Sequence, residues 1–316
     1  MRDVRGPRSR SVVALTGSTG FIGSAILDAL IAADYSVLAL SRQDSPYSGA
    51  NVERVVARDG LGDVVALRHL MQGADVLVHA ASYVGADADL QEGVNVNGTL
   101  RLVSEAQRQG VSRIIYVSTA AVYGSLVHNG AKEGELERRP RTSLSASRVQ
   151  AEDIVLESGG VILRPQLVYG EGDQWFLGQY VAMTEALGAW VNGGTAKVSV
   201  IDRKDLGRLV VRLLSQEVCE RVLHACYPDP MPICGLALQV FRHGGVKPPI
   251  HTIPPDQALS TMAPLGVRES QIAMVATDHW LSSKQIWEVA GMTPQAHPQL
   301  DAAALDWYAR TFLSRR

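Results

Sequence analysis

A doubly wound, parallel α/β sheet with a smaller C-terminal region is the fold this sequence predicts, on three observations. Four apolar residues, Val12-Val-Ala-Leu15, run directly into glycines spaced by three, Gly17, Gly20 and Gly23, and then into an apolar-periodic stretch over 21–31. The short apolar runs that follow have no polar face, as strands covered on both sides require. Strand and helix patterns then alternate strictly as far as Tyr169, which is the signature of parallel strands joined by helical crossovers.

In the first unit the order carries the information. Glycine permits a tight turn after the strand and lets the backbone approach a pyrophosphate resting on the helix N-terminus. The spacing is G-x-x-G-x-x-G, not G-x-G-x-x-G, and the alternative is an ordinary glycine-rich turn. The later units follow in sequence. Strands are predicted over 35–40 and 52–57, a helix over 63–71, and a fourth strand over 75–79 followed by small residues. A long helical pattern covers 90–109 and stops at Gly110, a plausible glycine C-terminal signal. A fifth strand is predicted over 113–118, a helix over 145–158 closed by Gly159-Gly160, and a sixth strand over 161–163. Beyond Tyr169, glycine, proline and tryptophan become frequent through Pro254, which predicts a substrate-covering region in place of more sheet. The predicted organisation is a disordered basic tail (1–10), a dinucleotide-binding Rossmann domain (11–168), and a mainly substrate-binding region (169–316) with some segments returning to the sheet.

Bulk properties exclude several functions. The chain has 316 residues and a net charge of −2, so no basic face points to nucleic acid or an anionic membrane. The basic start (Arg2, Arg5, Arg8, Arg10) reads as a solvated tail and lacks the apolar core of a signal peptide. No run of eighteen apolar residues suggests a membrane span. Cys219, Cys226 and Cys234 are too few and too dispersed for a disulfide framework or zinc site. The expectation is a cytoplasmic protein with a small-molecule partner and no metal, monomeric or homodimeric.

Five motifs stand in a known order and spacing: Thr16–Gly23 (TGSTGFIG), His79-Ala-Ala-Ser82, Asn95-Val-Asn-Gly-Thr99, Val117-Ser-Thr-Ala-Ala-Val-Tyr-Gly124, and Leu163-Arg-Pro-Gln-Leu-Val-Tyr-Gly-Glu-Gly-Asp173. Together they resemble the extended short-chain dehydrogenase/reductases. Asp205-Leu206, Ser283-Lys284, Gly291 and Pro294 resemble that family's C-terminal part, so the likeness covers nearly the whole chain. It implies that Gly17, Ser18, Thr19, Gly20, Phe21, Ile22 and Gly23 hold a pyrophosphate. Asp59 is placed against the adenine or, alternatively, caps its own loop. Ala80, Ala81 and Ser82 line the cofactor, Pro165 and its neighbours meet the nicotinamide, and Thr119 is the catalytic Ser/Thr. Asn95 matches the family's structural asparagine, whose duty is packing.

Charge chooses the cofactor. An NAD site places an acid near the end of the second strand, whereas an NADP site places cations there. Here the strand ends Ala39-Leu-Ser-Arg42, with no acid before Asp44. Arg42 offers a planar fork matched to a phosphate, and Ser41 a further hydroxyl. The cofactor expected is therefore NADPH/NADP.

The resemblance breaks at the proton donor. The family carries a Tyr, and a Lys four residues later, on the helix after the fifth strand. Here Ser147, Ala151 and Glu152 set the register of Thr142-Ser-Leu-Ser-Ala-Ser-Arg-Val-Gln-Ala-Glu152. Leu144 occupies the Tyr slot and Arg148 the Lys slot. Leucine cannot donate a proton, and a guanidinium can bind ribose hydroxyls without tuning a neighbouring pKa. General acid catalysis contributes about 10²–10⁴-fold, and positioning alone can supply more. A Tyr-less reductase is thus physically feasible, with Thr119 and Arg148 as its catalytic residues. Ser143 and Ser145 flank the slot but are poor acids. Tyr83 and Tyr123 are candidate replacement acids, Tyr123 reading more as scaffold.

The substrate region lacks the Arg that nucleotide-sugar enzymes carry ahead of the Asp-Leu pair. Val198 stands near that position, with Lys197 beside it. Trp175, Phe176, Tyr180 and Trp190 follow the Tyr169-Gly170 turn and suit a flat, aryl ketone. Alternatively they pack the small region. The pattern resembles Tyr-less tailoring reductases of aromatic polyketide antibiotics, including those acting on angucyclinones. The leading expectation is an NADPH-dependent ketoreductase of a polycyclic aromatic ketone. The main alternative is a catalytically inactive NADP(H)-binding sensor or regulator, and a sugar-nucleotide epimerase or dehydratase ranks last.

Overall fold

A computed structural model of the chain describes residues 11–43, 51–124 and 127–313. The expected basic tail (1–10) and Asp44 lie outside them. The chain divides into two compact units, and they do not follow chain order. The first comprises residues 1–118, 140–163 and 207–222, the second residues 119–139, 164–206 and 223–316. The stretch 11–168 is therefore shared, with 119–139 and the residues from Arg164 onward grouped in the second unit.

Seven strands of the described residues form one sheet. Their order is Val222–His224, Val161–Arg164, Arg113–Val117, Val76–His79, Val12–Thr16, Ser36–Ser41 and Val52–Val56. From Val161–Arg164 to Val52–Val56 the strands pair in parallel. This is the doubly wound Rossmann sheet expected from the alternation. Helices Phe21–Ala32, Val64–Met71, Thr99–Arg108 and Ser143–Glu157 supply the crossovers. Leu67, Leu70, Leu77, Leu102, Ile114, Val155 and Ile162 belong to one buried apolar cluster.

Element ends follow local chemistry. Asp63 accepts from the Ala66 N–H at 3.0 Å and caps the helix Val64–Met71. Thr142 and Ser145 form a reciprocal capping box that starts the helix Ser143–Glu157 two residues earlier than expected. At the end of the helix Arg203–Leu214, the Arg113 guanidinium donates to the carbonyls of Leu213, Leu214 and Gln216. The long helix expected over 90–109 is instead three pieces: Ala88–Gln91, a π-helical turn Glu92–Gly98, and Thr99–Arg108. Hydrophobic periodicity does not register the extra residue of a π turn, and such turns recur at functional sites.

Beyond Tyr169 one segment, Val222–His224, joins the seven-stranded sheet, and further short strands form where the composition suggested only a covering region. Short strands pair there, including Val200–Asp202 with Leu167–Tyr169 and His251–Ile253 with Ala189–Val191. Lys197–Val198, Met231–Pro232, His279–Leu281 and His128–Ala131 form another small sheet. At two to four residues each, these segments are too short to display a period-two pattern.

Candidate active site

In the first unit the glycine turn admits no side chain where it matters. Gly17 has φ +73°, and a Cβ on it would lie 2.7 Å from the Ala80 carbonyl and the Ala81 nitrogen. A Cβ on Gly23 would lie 1.9 Å from the Gly17 oxygen. Gly20 has an ordinary φ of −81° and caps the first helix, with no side chain capping it. Ser18 is buried and donates to the Leu40 carbonyl at 3.0 Å, tying the turn to the second strand, whereas Thr19 is exposed. Phe21 and Ile22 open the helix half-buried. The turn is thus a bare-backbone cradle at a twelve-residue helix N-terminus, which fits a dinucleotide pyrophosphate.

At the end of the second strand, the Ser41 hydroxyl donates to the Gln43 carbonyl at 2.7 Å and accepts the Gln43 N–H. The hydroxyl expected to face a phosphate is thus engaged in the local turn. Arg42 is exposed and lines a hollow with Gln43, Val56, Arg58 and Asp63. Asp59 is exposed and makes no side-chain cap to the turn that follows it. Its carboxylate lies beneath Gly62, where a Cβ would meet it at 2.2 Å.

The fourth strand ends in a closed network. His79 is fully buried, stacked on Tyr116 with ring centroids 4.9 Å apart. The Thr99 hydroxyl donates to the Asn95 carbonyl, so it accepts from His79 Nε2 (3.0 Å), and His79 Nδ1 accepts from Thr16 Oγ1 (2.7 Å). Burial, seconded by the Arg148 charge, lowers the His79 pKa from 6.5 to about 3. Below pH 6.5 the unfolded chain binds a proton here that the folded chain refuses. Stability contributed by His79 is complete above that pH and is lost as pH falls towards 3. In denaturation at stepped pH, wild type should lose about 1.4 kcal/mol more per unit than His79→Gln within this window. Parallel profiles would show that another group governs acid stability.

Asn95, in the π turn, satisfies its whole amide. Its oxygen accepts from Ser82 Oγ (3.1 Å) and the Tyr83 N–H (2.8 Å), and its nitrogen donates to the Tyr83 carbonyl (3.0 Å) and Ser147 Oγ (2.9 Å). It thereby locks the loop after the fourth strand to the helix bearing Leu144 and Arg148. That is a packing duty, as the resemblance implied. Ser82 is committed to Asn95, and the Tyr83 ring covers Gly85.

Leu144 is half-buried, Ser143 exposed, and Ser145 is consumed by the capping box. Arg148 departs from expectation. It is 7% exposed, donates to the Val117 carbonyl, and places its guanidinium carbon 5.0 Å from the Tyr116 ring centroid. An arginine is long and planar enough to fold back onto this strand end and ring, so its direction here is inward. Its Nε is buried without a partner among the described residues.

In the second unit Thr119 caps the short 3₁₀ turn Ala120–Tyr123, its hydroxyl oxygen accepting from the Ala121 N–H at 3.1 Å. Its own O–H proton is not used by that bond. Pro165 is buried, and its carbonyl accepts from the Ala120 N–H at 2.8 Å, fixing the same turn. Tyr123 is buried at the end of the turn. Its hydroxyl accepts from Arg164 (2.8 Å) and is bonded to His224 Nε2, while His224 Nδ1 faces the Ser282 carbonyl at 2.9 Å. Burial lowers the His224 pKa, so the ring is neutral, donates through Nδ1 and accepts the Tyr123 proton. Tyr123 is therefore scaffold, not a substrate contact. Phe176, Tyr180 and Trp190 are also buried, Trp190 donating to the Pro249 carbonyl at 2.7 Å. Trp175 alone of the four expected aromatics is exposed, at 63%.

Sequence reasoning missed Asp173 as the organiser of this segment. Fully buried, it accepts the N–H groups of Trp175, Phe176 and Leu177 and the Tyr308 hydroxyl. An acid ahead of a helical stretch was the available signal. Its partner Tyr308 lies far along the chain and left no local trace.

These features agree with the comparisons. The NAD dependent epimerase/dehydratase family model matches residues 13–223. The chain belongs to that family. A 4-hydroxy-2-methyl-3-oxo-4-farnesyl-3,4-dihydroquinoline-1-oxide ketoreductase from Stigmatella aurantiaca is 33% identical over 57% of this chain and 57% of its own length. A 2-alkyl-3-oxoalkanoate reductase from Stenotrophomonas maltophilia is 31% identical over 51% of this chain and 52% of its own. The match thus spans little more than half of either relative. The solved UDP-glucuronic acid 4-epimerase from Bacillus cereus, in complex with NAD, aligns with a TM-score of 0.72 at 16% identity, covering 96% of this chain and 100% of that one. UDP-glucose 4-epimerase from Thermotoga maritima gives 0.71 at 18%, over 95% and 98%. At such identities the likeness establishes the fold. Among the described residues no cluster could hold a metal, and no helix is long and apolar enough to cross a membrane.

Proposed function

We propose that the chain is an NADPH-dependent ketoreductase acting on a ketone of a polycyclic aromatic, angucyclinone-like substrate, of the kind reduced in simocyclinone assembly. The observation carrying this reading is an intact glycine cradle, closed to any side chain at Gly17 and Gly23, in a chain whose family proton-donor position is Leu144. Support for reduction comes from the two relatives, one a ketoreductase and the other a 3-oxoalkanoate reductase by name.

The cradle of Gly17, Gly20, Phe21, Ile22 and Gly23 would hold the pyrophosphate, with Asp59 towards the adenine and Ala80 and Ala81 along the cofactor; in the second unit the family resemblance gives Pro165 to the nicotinamide. When bound, the nicotinamide supplies a hydride. Thr119 donates its unused hydroxyl proton as a hydrogen bond to the carbonyl oxygen and stabilises the developing alkoxide. The proton itself comes from water or from a phenol or enol beside the substrate ketone, since Leu144 has none to give. Exposed Trp175 offers an aromatic face for a flat substrate.

The test is turnover of NADPH with a panel of aryl and quinonoid ketones, read by loss of reduced-nicotinamide absorbance. No turnover at high enzyme concentration, with NADPH bound, overturns the reading in favour of an inactive NADP(H)-binding sensor. For the cofactor, Arg42→Ala removes a charge-assisted contact of about 1.5–3 kcal/mol, so the NADPH dissociation constant should rise roughly tenfold or more. NADH affinity should hold. Equal loss of both would show that Arg42 does not read the 2′-phosphate.

A further inference from the structure

We infer that Arg58 is a second cation for the cofactor's ribose 2′-phosphate, forming with Arg42 a two-arginine clamp that selects a phosphorylated dinucleotide. The inference rests on the NADPH reading and adds the residue that completes its specificity.

The argument begins with strand register. The second and third strands run parallel with Ser41 opposite Val56, and the Ala57 N–H donates to the Ser41 carbonyl at 2.9 Å. Arg42 is one residue past the first of these positions and Arg58 two past the other. Both therefore leave the sheet at the same edge, where α/β sheets bind nucleotides. The chain turns back just after Arg58 through Gly60, at φ +56°. A Cβ on Gly60 would lie 3.7 Å from Arg42 Cδ, so the Arg42 stem runs against the turn that Arg58 begins. The two side chains line one hollow with Gln43, Val56 and Asp63.

Among the described residues that line the hollow, Arg42 and Arg58 face one carboxylate, Asp63. Among the described residues neither guanidinium makes a hydrogen bond or ion pair. Asp63 contributes one negative charge, with its Oδ1 occupied by the Ala66 N–H. Two arginines against one carboxylate make the described lining net positive. Two adjacent cations repel each other, and a phosphate dianion relieves that repulsion while accepting from both forks. A neutral 2′-hydroxyl relieves nothing. Ser41, the other candidate for the phosphate, has its proton committed to Gln43, which leaves the second contact to Arg58.

Dissociation constants for NADPH, NADH, 2′,5′-ADP and 5′-AMP, measured by calorimetry on wild type, Arg42→Ala, Arg58→Ala and Arg58→Lys, test the clamp. Both arginines are exposed, so the variants should fold as wild type does. Arg58→Ala should weaken NADPH and 2′,5′-ADP by about tenfold or more, the range of one lost charge-assisted contact. NADH and 5′-AMP should be unchanged, and Arg58→Lys should fall between wild type and Ala. If Arg42→Ala loses the preference while Arg58→Ala keeps it, the clamp is overturned and the NADPH reading stands. If wild type binds NADH as tightly as NADPH, both fall.

Discussion

Gly23→Ala should weaken dinucleotide binding by about 10²-fold or more and lower thermal stability, whereas Gly20→Ala should be tolerated. The contrast comes from position, since both residues belong to one motif. The added methyl at Gly23 would stand 1.9 Å from the Gly17 oxygen, a backbone atom that can move only with the whole turn. The helix start must shift, which costs roughly 1–3 kcal/mol as overpacking and withdraws the amide groups from the pyrophosphate. A loss of about 10²-fold or more in affinity corresponds to some 2.7 kcal/mol, a plausible share of what that displacement costs. At Gly20 the same methyl meets the Gly17 oxygen at 3.3 Å with an ordinary φ, and a few tenths of an ångström suffice. The measurements are a cofactor titration and a melting curve for each variant. Equal damage at the two positions would show that glycine flexibility, not close approach, is what the turn requires.

Thr119→Val should lower turnover by up to about 10²-fold with NADPH affinity retained, if its hydrogen bond forms mainly in the transition state. Because valine also removes the acceptor for the Ala121 N–H, Thr119→Ser is the necessary companion and should recover most of the activity. Leu144→Ala should cost little chemistry and mainly loosen substrate packing. Tyr83→Phe should remain active. Tyr123→Phe should also keep its turnover but lose stability by about 1–3 kcal/mol, because Arg164 and His224 would each be left short of a buried partner. A fall of 10²–10⁴-fold, the general-acid range, in either Phe variant with cofactor still bound would mean that the acid has moved to that tyrosine. A proton from substrate or water would then be ruled out.

Much of this is legible in the amino-acid sequence. The glycines, the alternation of strand and helix, and the absence of a Tyr from the helix after the fifth strand are all local in sequence. Each was found where expected: the cradle at 17–23, the parallel sheet, and Leu144 on the helix Ser143–Glu157. The packing duty of Asn95 was likewise implied by motif, and its four hydrogen bonds account for it. The aromatics after Tyr169 were harder. Composition marked a cluster, but burial sorts Phe176, Tyr180 and Trp190 into the core and leaves Trp175 outside.

By itself, the sequence determined the class of fold, the dinucleotide turn and the loss of the usual acid, because each depends on residue type within a few positions of the chain. Tertiary structure decided what individual polar groups are free to do. Ser41 is hydrogen-bonded within its own turn, Arg148 is turned onto the fifth strand, and Tyr123 is sealed between Arg164 and His224. Arg58 joins Arg42 only because two parallel strands end in register. A hydrogen bond is made by whichever partner folding brings within about 3 Å, and Tyr123 and His224 meet across 101 residues of chain, Asp173 and Tyr308 across 135.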